Sequence, residues 1–195
     1  MARVSPLKKT VRDMILSMAV ISLPIVAIVK WFPHDTKKPT EAIQTVDYQV
    51  SLDQARRDPD LPFTALAPAN LPAGWRATSV HADFTPGEQL RWELGFLTQD
   101  EQYVSLDQVS GGRGVNAVIA TQVPDPTALT GADAKVTAGG YDWQVYVSGD
   151  GKRHALVRTA APTGSAAAAA AGPVGVVVSG TVSVPELASF AGGLK

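Results

Sequence analysis

An uncharged apolar run near the N-terminus constrains the architecture of this chain more than any other feature. Residues 14–29 contain no charged side chain, and Trp31 and Phe32 continue the run past Lys30. Nineteen helical residues span about 28 Å, which is close to the hydrocarbon thickness of a bilayer. The sequence therefore predicts a single transmembrane helix over residues 14–32, acting as a signal anchor.

Three other roles for this run fit its composition or its flanks less well. A cleaved signal peptide has a small-x-small site after its apolar run, whereas this run ends in Lys30-Trp31-Phe32-Pro33. A buried helix of a globular domain carries an apolar stripe, and an interfacial helix carries a charged face, but this segment is apolar all round. We therefore expect an uncleaved anchor, with a cleaved signal as the main alternative.

The charges that flank the run predict its orientation. Residues 1–13 carry four basic side chains against Asp13 and form a short basic tail, which favours a cytoplasmic N-terminus. Residues 33–46 are polar with two prolines, and we interpret them as a juxtamembrane linker. Residues 47–195 then form an extracytoplasmic domain, so the predicted location is the cell membrane, single-pass, in contact with the bilayer through residues 14–32.

Charge and cysteine content exclude several function classes. The net charge is -1 although the N-terminal region is basic, so the domain itself is acidic and lacks the positive surface that nucleic acid requires. The chain has no cysteine, which excludes disulfides, a thiol nucleophile and thiolate metal sites.

Period-two alternation of apolar residues predicts antiparallel strands in the second half of the chain. Residues 90–97 and 103–109 form one predicted hairpin, and residues 141–148 and 153–159 form a second around a Gly-Asp-Gly turn. Residues 174–182 are apolar on both faces, which is typical of a central strand. Successive hairpins favour an α+β fold, in which a mainly antiparallel β-sheet packs against two or three short helices.

Two or three short helices are expected beside this sheet. A capping-box pattern from Ser51 to Gln54 predicts a short first helix, and valine and isoleucine spacing around residues 115–119 predicts a second. Ser183 and Glu186 form a capping box before an apolar stripe at the C-terminus, which predicts the third. The alanine-rich residues 165–172 are expected to form a mobile loop between two strands.

No pattern in the sequence assigns a catalytic residue, a metal site or a cofactor. His34, His81 and His154 lack partners at metal-ligand spacing. Residues 110–114 are glycine-rich but lack the Lys-Ser/Thr of a phosphate-binding loop, and residues 148–151 lie at a predicted hairpin tip, where no pocket is available. The chain is therefore expected not to be an enzyme, although the carboxylates keep that possibility open.

Three residues are candidates for binding. Arg91 and Arg158 lie on predicted strands and would grip an acidic ligand or partner if they shared an outer face of the sheet. The simpler interpretation is isolated ion pairs with Glu93 or Asp142. Trp75 follows a turn and either caps the edge of the core or contributes to a binding surface.

Several short motifs occur in an order that resembles a known family. They are Leu71-Pro-Ala-Gly-Trp-Arg-Ala-Thr-Ser79, Trp92-Glu-Leu-Gly-Phe96, Tyr103-Val-Ser-Leu106, Gly140-Tyr-Asp-Trp143 and His154-Ala-Leu-Val-Arg158. With the anchor and the region from about residue 45 onward, the chain resembles the actinobacterial membrane-anchored family known as domain of unknown function 4245. The resemblance implies a one-span envelope protein and supplies no catalytic residues.

The leading hypothesis is a non-enzymatic membrane protein whose domain binds a partner protein, a lipid or a glycan of the cell envelope. One alternative is an envelope hydrolase that uses carboxylates such as Glu93 and Asp107, which would require the two to converge in a concave pocket. The other is a structural subunit of a membrane complex, which would require an extended apolar patch.

Overall fold

The computed structural model describes residues 43–85, 88–163 and 172–195, together with the isolated helical positions Met14, Ser17, Met18, Val20 and Ser22. The chain divides into two compact units, residues 1–42 and 43–195. Most of the predicted transmembrane helix and linker, and almost all of the alanine-rich loop, lie outside the described residues. In the part of the chain that is described, no helix is long and apolar enough to cross a membrane.

The second unit is an α+β domain built on an antiparallel sheet of eight strands. The strands are β1 (Arg76–Asp83), β2 (Arg91–Leu97), β3 (Tyr103–Ser110), β4 (Thr127–Ala128), β5 (Lys135–Ala138), β6 (Tyr141–Val147), β7 (His154–Ala160) and β8 (Val174–Gly180). The helices are α1 (Gln49–Arg57), α2 (Gly112–Gln122) and α3 (Val184–Gly192). This architecture confirms the predicted fold class of the domain.

The strand order is β1-β2-β3-β8-β7-β6, and both β4 and β5 pair with the outer side of β6. The two predicted hairpins, β2–β3 and β6–β7, are present. Strand β8 lies between β3 and β7, and all seven of its residues are buried, as expected for a run that is apolar on both faces. The strand that comes last in sequence therefore joins the two hairpins into one sheet.

Alternation along the strands divides the sheet into two faces of different chemistry. On the face that we call the aromatic face, Trp92, Leu94 and Phe96 of β2 join Trp143 of β6 in the main hydrophobic core. Helices α1 and α3 cover this face. The opposite face, which we call the polar face, carries Arg91, Glu93, Ser105 and Asp107.

Helix α2 covers one end of the polar face. Its Val115, Val118 and Ile119 pack with Val109 of β3 in a second, smaller core. A Cβ atom on Gly175 of β8 would overlap the side chain of Val115, so the glycine permits the close approach of helix and sheet.

Helix α3 begins as predicted, whereas α1 does not. The Glu186 carboxylate accepts a hydrogen bond from the backbone N–H of Ser183 at 3.1 Å, which is the predicted capping box. The predicted capping box at Ser51 is wrong, because α1 begins at Gln49 and Ser51 lies inside its first turn. Tyr48 takes the N-cap position without a side-chain cap and instead packs edge-on against Phe96.

Residues 61–69 form a largely buried segment, with Thr64 and Ala69 exposed, that the sequence pattern does not predict. The Trp92 indole N–H donates to the Leu66 carbonyl at 2.9 Å, and Gln108 binds the backbone of Thr64 and Leu66 at 3.1 and 2.6 Å. Trp92 and Gln108 are direct partners on β2 and β3. Side chains of two adjacent strands thus hold an irregular segment against the aromatic face through hydrogen bonds to its backbone.

Candidate functional site

The two candidate arginines lie on opposite faces of the sheet. In the strand register, Arg91 shares a row with Val109 and Thr159, whereas Arg158 shares the neighbouring row with Gln108 and Trp92. Adjacent rows point to opposite faces. Arg91 and Arg158 therefore do not form one site for an acidic ligand, because a common outer face was the condition for that hypothesis.

Arg91 is paired within the domain, at a cluster on the polar face. Its Nη2 lies 3.0 Å from Glu93 Oε2 and 2.5 Å from Asp107 Oδ1, and its Nε donates to the same Asp107 oxygen at 3.0 Å. Ser105 donates to the other Asp107 oxygen at 3.2 Å and lies 2.8 Å from the Ser179 hydroxyl. The ion pair predicted with Glu93 is present, and Asp107 is a second partner.

Burial dominates the electrostatics of this cluster. The Asp107 side chain is fully buried, and burial raises the pKa of its carboxyl to about 6, against the opposing effect of Arg91. Burial works against the charge of Arg91, but the hydrogen bond and charge of Asp107 outweigh it and raise the pKa of the guanidinium. Above the pKa of Asp107, the cluster is an internal ion pair with one extra carboxylate.

Trp75 packs on helix α3. Its ring stacks on Phe190 with centroids 5.4 Å apart and an interplanar angle of 17°. Phe190 in turn contacts Phe96 edge-on at 5.3 Å. Trp75 is half-buried, so its position agrees with a role at the edge of the core.

Arg158 has aromatic neighbours where a carboxylate was expected. Its guanidinium carbon lies 4.2 Å from the centroid of the Tyr141 ring and 5.1 Å from that of Trp143. The expected pair with Asp142 is wrong: Asp142 lies between these two residues on β6, points to the other face and accepts a hydrogen bond from Thr137 at 2.9 Å. Burial lowers the pKa of the Arg158 guanidinium.

Three of the remaining sequence motifs have hydrogen-bond partners within the domain. His154 Nδ1 lies 3.1 Å from the Val182 carbonyl oxygen, and the Ser148 hydroxyl donates to Asp150 at 2.6 Å inside the hairpin turn. Ser110 accepts a hydrogen bond from the Leu90 N–H at 3.0 Å. Among the described residues, no group of three His, Asp or Glu side chains is arranged to hold a metal ion.

Two concave regions border helix α1. A cavity of about 260 Å³ lies between α1 and β1, lined by Ser51, Gln54, Ala55, Ala82 and Phe84. A second depression of about 460 Å³ follows the outer side of α1, lined by Val50, Asp53, Gln54, Arg57, Asp58 and Pro59. Sequence reasoning missed both, although the apolar alternation of Val80, Ala82 and Phe84 is a sign of the first.

The site and fold define an antiparallel α+β domain in which Arg91, Glu93 and Asp107 form an internal charged cluster on the polar face and two grooves border helix α1. The family model described as "Protein of unknown function (DUF4245)" matches residues 7–194. The chain belongs to this family, which confirms the resemblance read from its motifs.

Other comparisons add little. No curated protein matches the chain. The solved structure titled "Crystal structure of MucB in complex with MucA(peri)" is similar with a TM-score of 0.35 and 12% identity, covering 68% of this chain and 36% of that chain. The chain thus corresponds to well under half of the MucB chain, and the similarity transfers no function.

Proposed function

We propose that this chain is a single-pass membrane protein of the cell envelope, anchored through residues 14–32, whose extracytoplasmic domain binds a partner polypeptide along strand β1. The observation that carries the proposal is the outer edge of β1, which beyond Ala77 pairs with none of the described residues. It lies beside the cavity between α1 and β1, which we call the α1 groove. An extended peptide that adds to a sheet edge gains main-chain hydrogen bonds, and neighbouring pockets select its side chains.

The backbone of β1 is oriented to accept such a peptide. At the two ends of β2, the Leu90 carbonyl and the Thr98 N–H bond to residues at the ends of β3, so the odd-numbered residues of β2 bond toward β1. The register shifts between Ala77 and Ser79, and from Ser79 to Asp83 the partners on β1 are also odd-numbered. Val80 and Ala82 therefore direct their backbone groups away from the sheet. In the described ranges, the outer edge of β1 receives one backbone hydrogen bond, from Val46 N–H to the Ala77 carbonyl at 2.9 Å.

The groove beside this edge has the chemistry to receive an uncharged side chain. Ala82 and Phe84 form its strand wall, and Ser51, Gln54 and Ala55 form its helix wall. None of these residues is charged. A peptide paired with β1 would place alternate side chains toward the aromatic face, where α1 forms the wall of the groove.

The rival functions are less well supported by the described residues. Glu93 and Asp107 converge, but both bind Arg91, and Asp107 is fully buried, so neither is free for hydrolysis. A lipid would need a deep apolar cavity, whereas the larger depression is lined by Asp53, Arg57 and Asp58. The exposed large apolar side chains of the described domain are Ile43, Val50 and Tyr141, which are few for the extended patch expected of a structural subunit.

Photo-cross-linking in native membranes tests the edge strand. A photoreactive phenylalanine analogue at Gln54 of the full chain should form adducts with a polypeptide. Ala82→Pro should reduce their yield about tenfold, because proline removes an outward N–H that a peptide would use. Ala82→Ser, which keeps that N–H, should retain them, and Ser51→Arg should reduce them by filling the groove.

Two results would contradict this proposal. Equal adduct yields in Ala82→Pro and Ala82→Ser would show that the outer edge of β1 takes no part in binding. Adducts that contain lipid or glycan, without peptide, would replace the polypeptide with another envelope ligand. Thermal unfolding of the two Ala82 variants serves as the control, since proline on an edge strand leaves the β1–β2 hydrogen bonds intact.

Single cysteines test the membrane orientation, because the natural chain has none. With Lys152→Cys at the exposed β6–β7 turn, a membrane-impermeant maleimide should label intact cells. With Ser5→Cys in the basic tail, labelling should require lysis. The reverse pattern would invert the orientation, and labelled protein found in the medium alone would indicate a cleaved signal.

A further inference from the structure

Arg158 is an incompletely satisfied cation on the aromatic face. Its Nε is buried without a hydrogen-bond partner, and the ion pairs among the described residues do not include it. Arg76 shares this condition through its buried Nη2, whereas the other partly buried arginines are satisfied: Arg91 binds two carboxylates and Arg153 donates to the Gln122 carbonyl.

The side chains around Arg158 hold it in place without neutralising it. Its row of the sheet contains Trp143 on one side and Val176 on the other. The Tyr141 and Trp143 rings attract the guanidinium through cation–π interactions, which favour a fixed orientation. Because the rings carry no net charge, the positive charge is still available to an anion.

One part of this arrangement is open to solvent. Trp143 is buried beneath the guanidinium, whereas Tyr141 is 56% exposed. Arg158 itself is half-exposed. A ligand can therefore approach Arg158 past the Tyr141 ring, while Trp143 fixes the position of the guanidinium from below.

We propose that Arg158, positioned by Tyr141 and Trp143, binds an oxyanion. The planar guanidinium donates two parallel hydrogen bonds to a pair of oxygen atoms, a geometry that carboxylates and phosphates share. Such a ligand would supply the hydrogen-bond acceptors and the negative charge that the described side chains around Arg158 do not provide. This site lies on β6 and β7, remote in the strand order from the β1 edge, and does not depend on the function proposed above.

Titration of the full chain in detergent tests the site, with the indole N–H resonance of the neighbouring Trp143 as a readout that all the Arg158 and Tyr141 variants keep. Inorganic phosphate and acetate are the two soluble probes. Saturable shifts with at least one of them are expected, and Arg158→Gln should weaken the affinity at least tenfold. Arg57→Gln is the matched control, because it removes the same charge from the exposed side of α1 and should leave the affinity unchanged.

Further variants distinguish the contributions of charge, paired donors and the Tyr141 ring, and a lipid probe distinguishes a lipid headgroup from a soluble anion. Arg158→Lys keeps the charge but not the paired donors and should bind several-fold more weakly, and Tyr141→Leu should also weaken binding. Titration with soluble short-chain phosphatidylglycerol, compared with short-chain phosphatidylcholine, shows whether the oxyanion is a lipid headgroup, for the same Arg158 dependence is then expected. Absence of saturable shifts with phosphate, acetate and phosphatidylglycerol would overturn the proposal, as would equal losses in Arg158→Gln and Arg57→Gln.

Discussion

Replacing Arg91 with methionine should lower the free energy of unfolding by about 3–5 kcal/mol at neutral pH. The substitution leaves Asp107 fully buried without the cation that binds it, and leaves Glu93 beside it as a like charge. Methionine fills a similar volume, so the loss reports mainly the uncompensated carboxylate. Urea unfolding of the full chain in detergent, followed by tryptophan fluorescence, measures this change.

A second substitution distinguishes lost charge pairing from lost packing. Adding Asp107→Asn to Arg91→Met should recover much of the stability, because the neutral amide needs no cation. Arg57→Met is the matched control: its partner Asp53 lies at 3.8 Å and both side chains are mostly exposed, so the change should stay within about 0.5 kcal/mol. Equal losses in the two methionine variants would contradict the importance of the buried pair.

The raised pKa of Asp107 gives the natural chain a pH dependence of definite sign. The ordinary pKa of an aspartate carboxyl is 3.8, and in the folded domain the pKa of Asp107 is about 6. Between these two pH values the folded state therefore binds more protons than the unfolded state does. The free energy of unfolding should therefore fall by about 3 kcal/mol as the pH rises through this window. In Asp107→Asn this part of the pH dependence should disappear. In Arg91→Met the loss of unfolding free energy relative to the natural chain should become smaller as the pH falls, because protonation removes the unpaired charge of Asp107.

The Arg91 cluster illustrates what the sequence could predict about the site. Arg91 and Glu93 are two residues apart on one strand, so their common face and their ion pair follow from local alternation. Asp107 joins them only because the β2–β3 register places it directly opposite Glu93. That register depends on how the whole hairpin packs, which no short pattern in the sequence encodes.

The surroundings of Arg158 and the position of β1 at the edge of the sheet depend even more on long-range packing, which short sequence patterns do not predict. The pairing between β7 and β6 places Arg158 beside Trp143. Its expected partner Asp142 is the residue before Trp143 on the strand and therefore points to the opposite face. The open edge of β1 follows from the strand order, in which β8 enters between β3 and β7. Strand order is set by long-range packing, whereas the hairpins and α3 follow from local periodicity and capping.

Replacing Trp92 with alanine should destabilise the domain by about 3–5 kcal/mol. The Trp92 side chain is fully buried in the main core, so the substitution opens a large cavity on the aromatic face. It also removes the indole donor of the Leu66 carbonyl, which lies 2.9 Å away. Of the side-chain hydrogen bonds from the sheet to segment 61–69, those of Gln108 would then remain. The segment should become accessible to proteases before the sheet unfolds.

Trp92→Phe separates these two contributions. Phenylalanine keeps most of the apolar contact but cannot donate to Leu66, so a loss of about 1–3 kcal/mol is expected from the unsatisfied carbonyl together with the reduced volume. Trp75→Phe is the matched control, because Trp75 is half-buried, stacks on Phe190 and makes no indole hydrogen bond to the described residues. Limited proteolysis with mass spectrometry should locate early cleavage near residues 61–69 in both Trp92 variants. If this segment is instead as protected in Trp92→Phe as in the natural chain, packing and its backbone hydrogen bonds to residues 193–195, rather than the indole hydrogen bond, hold it in place.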